Sequence, residues 1–296
     1  MKHNAKTAKK ALLGQSARTK IANGVIYFVL ATLGILWVTP IVFLVYTSLR
    51  VTPNTGIINQ LFPEDLQLGF GNFGRLFRDT QFGIWLGNTI LVAVCSCALT
   101  TLFILMVSYA FSRMRFKLRK PIMNVMLVLG MFPGFMSMIA IYFILKAVGL
   151  TNSLFALILV YSGGAALSYY ICKGFFDTIP RSLEEAAILD GASQWTICWR
   201  IIFPLSKPII VYTILTSFIS PWCDFIFVNV IINNTSPEKF TVALGLYKLI
   251  NADKGSFNTN FTVFCAGAVI VGGIITALFL SMQKYYVEGV TGGAVK

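Results

Sequence analysis

Long apolar stretches alternate along the chain with short polar segments that are mostly basic. A membrane-spanning helix needs about 20 predominantly apolar residues. Six windows reach that length: 21–49, uncharged and containing Pro40; 84–112; 121–145, with Pro133 inside; 150–172; 208 to about 233, interrupted by Asp224; and 261–283. The pattern predicts an all-α membrane protein with six transmembrane helices. Kinks are expected at Pro133, Pro221 and the Gly163-Gly164 pair, where neighbouring helices supply the lost backbone partners. No repeat of 20–50 residues is visible.

Charge fixes the orientation. With the N-terminus inside, 17 of the 24 Lys and Arg fall in cytoplasmic segments and seven outside, so both termini are expected in the cytoplasm. The chain divides into a basic tail (1–20), a six-span membrane core (21–283) holding an organised cytoplasmic loop (176–207), and a C-terminal tail (284–296). The first apolar run is too long for a signal-peptide core and reads as a retained span. Only 12% of the 296 residues are charged, against about 25% in soluble domains. The net charge of +13 is a matter of membrane topology, and no nucleic-acid partner is expected.

The candidate chemistry is mostly an absence. His3 is the single histidine, which excludes zinc catalysis, histidine proton relays and Ser-His-Asp chemistry within the membrane. The six cysteines have no metal-type spacing and read as free packing thiols. No catalytic residue, metal ligand or phosphate-binding loop is present.

The loop between the fourth and fifth windows carries the information. It reads Pro180-Arg181-Ser182-Leu183-Glu184-Glu185-Ala186-Ala187-Ile188-Leu189-Asp190-Gly191. Ser182 and Glu185 have capping-box spacing, so a helix starts at Ser182. Gly191 ends it. Ser193 caps a second short helix with Trp195, Trp199 and Ile202 along one side. Such a helix–Gly–helix, with Glu184, Glu185 and Asp190 exposed, suits a protein partner. The alternative is an interfacial helix on lipid, which three acids disfavour.

The run Glu185-Ala186-Ala187, three residues, Gly191, nine residues, Ile201, one residue, Phe203-Pro204 resembles the EAA loop of binding-protein-dependent ABC importer permeases. The family usually has Leu at Phe203. Asn72-Phe73, Asn88, Asp190-Gly191-Ala192-Ser193 and the end from Tyr286 to Lys296 resemble the MalG-type branch, which imports maltose, maltodextrins and related oligosaccharides. The resemblance implies the type I ABC importer fold in a bacterial plasma membrane. It implies Glu185, Ala186, Ala187 and Gly191 as positions docking on an ATPase, with Glu184 and Asp190 beside them. It implies a tail, including Thr291, Gly292 and Gly293, that reaches along the ATPase dimer; a disordered end is the alternative. The implied partners are a second homologous permease subunit, two ATPase subunits and an extracellular sugar-binding protein, with lipid around the spans. ATP and Mg would be bound by the ATPase, leaving this chain no cofactor. Maltodextrin is the first expectation for the cargo and a galacto-oligosaccharide the second.

Asp224 is the one acid within a window. Either it lines the outer mouth of the sugar pathway, or it caps freed backbone or reaches the headgroups. An ion-coupled secondary transporter or channel subunit is the alternative class, since such proteins carry membrane-embedded ionisable groups. Asp224 is its one candidate residue.

Overall fold

The structure, a computed structural model, describes residues 2–51, 67–131, 134–163, 166–232, 235–253 and 255–292. Among these the regular elements are helical, apart from one isolated bridge between Arg50 and Leu68. Helix α1 (Lys2–Leu49) is followed by the short α2 (Gly71–Asp79) and the long α3 (Phe82–Arg113). Next come α4 (Arg119–Gly130), α5 (Gly134–Ala147), α6 (Leu154–Ser162) and α7 (Ala166–Asp177). The loop 176–207 forms α8 (Ser182–Leu189), α9 (Gln194–Ile197), a π turn (Cys198–Ile202) and α10 (Phe203–Leu205). The chain ends through α11 (Lys207–Cys223), α12 (Ile226–Ile231), α13 (Val242–Asn251) and α14 (Ser256–Gly292).

Three described helices are long and apolar enough to cross a bilayer unbroken: Ala22–Leu49 within α1, all of α3, and Thr259–Lys284 within α14. The other three windows are interrupted. Window 121–145 overlaps α4, which ends at Gly130, and α5, which begins at Gly134; Pro133 lies outside the described residues. Helices α6 and α7 are bent by 41° about the glycine-rich patch. The fifth window differs most from expectation. Its helix does not run on to Asn233 but stops at Cys223, two residues after Pro221. Proline removes a backbone donor and crowds the preceding turn. Asp224 then takes extended backbone (ψ 101°) and restarts a new helix, α12.

Helix α3 is the hub, packing against α6, α7, α11 and α13. Its inward positions include the small polar residues Thr89, Ser96, Thr100, Ser108 and Ser112 among larger apolar ones. Small side chains let the neighbouring backbones approach, and the hydroxyls find carbonyl partners there. Thr100 Oγ1 donates to the Tyr161 carbonyl at 2.9 Å and Ser108 Oγ to that of Tyr169 at 3.0 Å. Helix α1, by contrast, exposes Tyr27, Phe28, Ile35 and Trp37 and packs on α14. Apolar exposure of that extent belongs in lipid or against another subunit.

The end of the bundle away from the α8–α10 loop is closed by side-chain to backbone bonds. Asn72 is buried and donates to the carbonyls of Ser48 (3.0 Å) and Arg50 (2.5 Å). Its own carbonyl accepts from Thr262 at 3.1 Å, so one amide ties α1, α2 and α14 together. Asn88 of α3 donates to the carbonyls of Glu238 (2.8 Å) and Phe240 (2.9 Å). Trp85 lies flat on Gly245 of α13, where a β-carbon would sit 2.2 Å from the indole ring. Only glycine permits that approach.

Candidate functional site

The loop 176–207 begins as two short helices joined at Gly191. Helix α8 ends in a Schellman motif: the Ala192 amide donates to the Ala187 carbonyl (2.9 Å) and the Gly191 amide to that of Ile188 (3.0 Å). Gly191 has φ +80°, a region that L-residues with a β-carbon avoid. Ser193 caps α9, accepting from the Thr196 amide at 3.2 Å.

Helix α8 starts at Ser182 as expected, but its capping differs. Arg181, not Ser182, is the cap residue, and no side chain makes a capping bond there. The turn begins at Pro180, so Leu183 donates to its carbonyl and Glu184 and Glu185 donate to that of Arg181. Ser182 is thus already inside the first turn, and the capping box is not formed. The two glutamates still lie in the first turn, where the helix dipole favours negative charge.

Helix α8 has two distinct faces. Ala187 is buried in a cluster with Ile104 and Leu105 of α3, Phe176 of α7, and Ile197 and Ile202 of the second arm. Glu184 also turns inward. Its Oε1 lies 2.9 Å from Nε of Arg113, with the side chains only 14% and 3% exposed. These two atoms meet without hydrogen-bond alignment, so charge holds the pair. Arg113 also donates through Nη2 to the carbonyls of Phe176 (2.5 Å) and Ile179 (3.0 Å). Glu184 and Ala187 therefore face the helical bundle and anchor the loop to it; Glu184 is thus not one of the exposed acids expected from the sequence. The exposed face carries Glu185, Ala186 and Asp190, with Leu183, Ile188 and Leu189; Leu189 is 89% exposed.

The second arm continues that face. Trp195 and Trp199 are exposed and lie 5.5 Å apart, and Trp199 meets Phe203 edge-on at 4.9 Å. Ile202 does not share their side: the π turn rotates it into the buried cluster. Tyr109 of α3 donates to the Gln194 side chain at 3.1 Å. Burial pushes the Cys198 thiol up to about 11, in keeping with a packing role. Burial also works against the charged form of Asp177, but the Lys173 ammonium and the Ser112 hydroxyl (2.6 Å) outweigh it and hold the carboxyl below its usual range.

A second site lies farther along the bundle. Asp224 borders a cavity of about 370 Å³ between α5, α6 and α12, lined also by Ser137, Met138, Tyr161 and Phe227. Asp224 Oδ1 accepts from the Phe227 amide at 3.0 Å, capping α12. Its Oδ2 accepts from the Tyr161 hydroxyl at 2.9 Å. The carboxylate thus satisfies a backbone amide, as one of the two sequence readings has it, and also borders this cavity. Tyr161 was not singled out, because nothing in a single aromatic within an apolar run signals a partner 63 residues away.

The C-terminal positions Thr291 and Gly292 continue α14, and Gly293 lies outside the described residues. No group of three or more His, Cys, Asp or Glu capable of holding a metal occurs among the described residues.

Comparison with known proteins places these features. The family described as "Binding-protein-dependent transport system inner membrane component" matches residues 105–288, which include both sites. The chain is 33% identical over 274 residues to the galactooligosaccharides transport system permease protein GanQ of Bacillus subtilis (strain 168), covering 91% of this chain and 94% of that protein. It is 31% identical over 281 residues to the maltodextrin transport system permease protein MalD of Streptococcus pneumoniae (strain ATCC BAA-255 / R6), covering 94% and 97%. A chain in the crystal structure of a bacterial ABC transporter involved in the import of the acidic polysaccharide alginate superposes with a TM-score of 0.73 at 25% identity, covering 90% of this chain and 97% of that one.

Proposed function

This chain belongs to the family of binding-protein-dependent transport system inner membrane components, and on that premise we propose that it moves oligosaccharides through the bacterial plasma membrane by ATP-driven alternating access. It is a permease component of an ABC sugar importer and not itself an enzyme. Maltodextrin is the first cargo and a galacto-oligosaccharide the second, following the relatives' cargoes.

One observation carries the reading. The α8–α9 unit is fastened to the bundle on one side and presents an apolar, acid-flanked surface on the other. A loop meant to lie on anionic lipid would be dominated by basic residues; here the exposed Arg181 and Arg200 are matched by the exposed Glu185 and Asp190. Leu189, Ile188 and Trp195 supply apolar anchors, and Glu185 and Asp190 supply charge at the rim, the usual composition of a protein interface. The occupant is the ATPase subunit, which also binds ATP and Mg. The tail from Thr291 runs along the ATPase dimer, and deleting 291–296 is expected to lower ATPase recovery. A second permease chain, a second ATPase subunit and an extracellular sugar-binding protein complete the assembly, and both termini face the cytoplasm.

The mechanism follows from the two faces. Closure of the ATPase dimer displaces α8 and α9. Their buried anchors pass the displacement to α3 and α7, a rigid-body movement of hinge or shear type. The bundle then opens the Asp224 cavity outward, where the carboxylate and the Tyr161 hydroxyl can trade their mutual bond for sugar hydroxyls. The ion-coupled alternative loses support, because both Asp224 oxygens already have partners in a capping arrangement. The test is uptake of labelled maltotriose and of a labelled galacto-oligosaccharide by a strain lacking this chain, with and without the gene restored. Restored uptake of maltotriose supports the first choice. Restoration of the galacto-oligosaccharide alone selects the second, and restoration of neither refutes the proposed cargo class.

A further inference from the structure

Arg113 has no place in the resemblance to known coupling loops, yet it joins more of this site than any other side chain described. It is the last residue of α3. It touches the end of α7 through the Phe176 carbonyl, the α7–α8 connection through the Ile179 carbonyl, and α8 itself through Glu184. The residues beside it on α3 reach the same region: Ser112 donates to Asp177, and Tyr109 to Gln194 on α9. At its other end α3 holds the outer segment through Trp85 to the Pro237 carbonyl (3.0 Å), through Asn88, and through Thr89, which accepts from the Val242 amide at 2.8 Å. One unbroken helix therefore connects the cytoplasmic loop to the outer surface. α4 to α7 and α11 are all interrupted or bent near their middles or ends.

We propose that Arg113 is a positioning residue that pins the docking helix α8 to α3, so that a displacement received at α8 reaches the outer segment through α3 and is not lost in rotation of the loop. The inference rests on the importer reading given above. The Schellman turn and the apolar cluster fix where α8 sits, but both allow it to rock about its own axis. The Arg113–Glu184 pair lies on the face of α8 away from the docking surface and blocks that rocking. Guanidinium suits the task because its rigid fork serves a carboxylate and two carbonyls at once, which an ammonium does not. A pair this well buried is costly to break from one side, since the remaining charge is left without its partner.

The test uses the assembled complex purified through this chain and reconstituted in liposomes, with labelled maltotriose as the probe. Glu184→Gln keeps shape and removes charge. It is expected to leave ATPase recovery unchanged and to lower maltotriose transported per ATP hydrolysed by about tenfold, within the range for directly coupled neighbours. Arg113→Glu alone is expected to lower the ratio at least as far, and Arg113→Glu with Glu184→Arg to recover most of it. Deuterium exchange over 183–190 in the same complexes reads the pin without any sugar: it is expected to rise in both single variants and return in the exchanged pair. A wild-type ratio in Glu184→Gln, or unaltered exchange over 183–190, overturns the proposal. A wild-type complex that hydrolyses ATP but moves no maltotriose counts against the cargo reading, and the exchange measurement still decides the pin.

Discussion

Replacing Gly191 separates backbone conformation from every other property of the loop. The residue sits at φ +80°, and a β-carbon there would meet nothing within 4 Å. The cost of a side chain is therefore conformational and not steric. Alanine in the left-handed region costs about 1–2 kcal/mol, a factor of roughly 5 to 30 in the population of the intact turn. Asparagine visits that region more readily and should cost less. Proline is held near φ −65° and has no amide, so it forbids the turn and deletes the bond to the Ile188 carbonyl; about 3 kcal/mol or more is expected. The expected order of damage is Asn, then Ala, then Pro. Loss of the turn frees α9 to swing from α8 and splits the docking surface. Deuterium exchange over 187–192 and sugar moved per ATP hydrolysed should both follow that order while the chain stays inserted. Wild-type behaviour of Gly191→Pro, or Asn no milder than Ala, would refute the argument that the αL turn sets the geometry of the site.

Three further outcomes are expected. Asp224→Asn keeps an acceptor for the Phe227 amide but removes the charge facing Tyr161, at a cost of about 1 kcal/mol, the difference between charged and neutral hydrogen bonds; uptake at limiting sugar should fall while ATPase recovery holds, and normal uptake would leave Asp224 a capping residue. Gly245→Ala drives a methyl into the Trp85 ring and should destabilise the protein by about 1–3 kcal/mol, seen as a lower thermal midpoint in detergent; an unchanged midpoint would mean that α13 lifts freely from α3. In a background without the six native cysteines, Lys10→Cys, Phe116→Cys, Asp190→Cys and Val290→Cys should be labelled only from the cytoplasmic side, and external labelling of Phe116→Cys in intact cells would reverse the topology.

Much of the fold was legible because bilayer thickness imposes a length on apolar runs. The helical class, the bend between α6 and α7, the Gly191 turn and the Ser193 cap all follow from local chemistry. The end of α11 was not legible. Pro221 signals a kink, but whether a helix resumes depends on a cap partner, here Asp224 with Phe227, that competes with simple continuation. Nor did spacing reveal the faces of α8. Glu184 and Glu185 are adjacent and chemically alike, yet one meets Arg113 and the other faces solvent. The deciding partner lies 71 residues earlier, beyond any helical periodicity. Arg113 did carry a weak signal, as the first charge after an apolar span, where a long side chain can turn back toward the loop. The capping box failed for a local reason, since Pro180 began the turn earlier than Ser182.

The central claim is that the outward face of α8 is the ATPase docking surface and its inward face the anchor. Photo-crosslinking amino acids placed singly at Leu189, Asp190 and Ala187 in the assembled complex test it directly. Leu189 and Asp190 should each give a crosslink to the ATPase subunit, and Ala187 should crosslink only within this chain. A crosslink from Ala187 to the ATPase, or crosslinks from Leu189 to lipid alone while the ATPase remains bound, would contradict it.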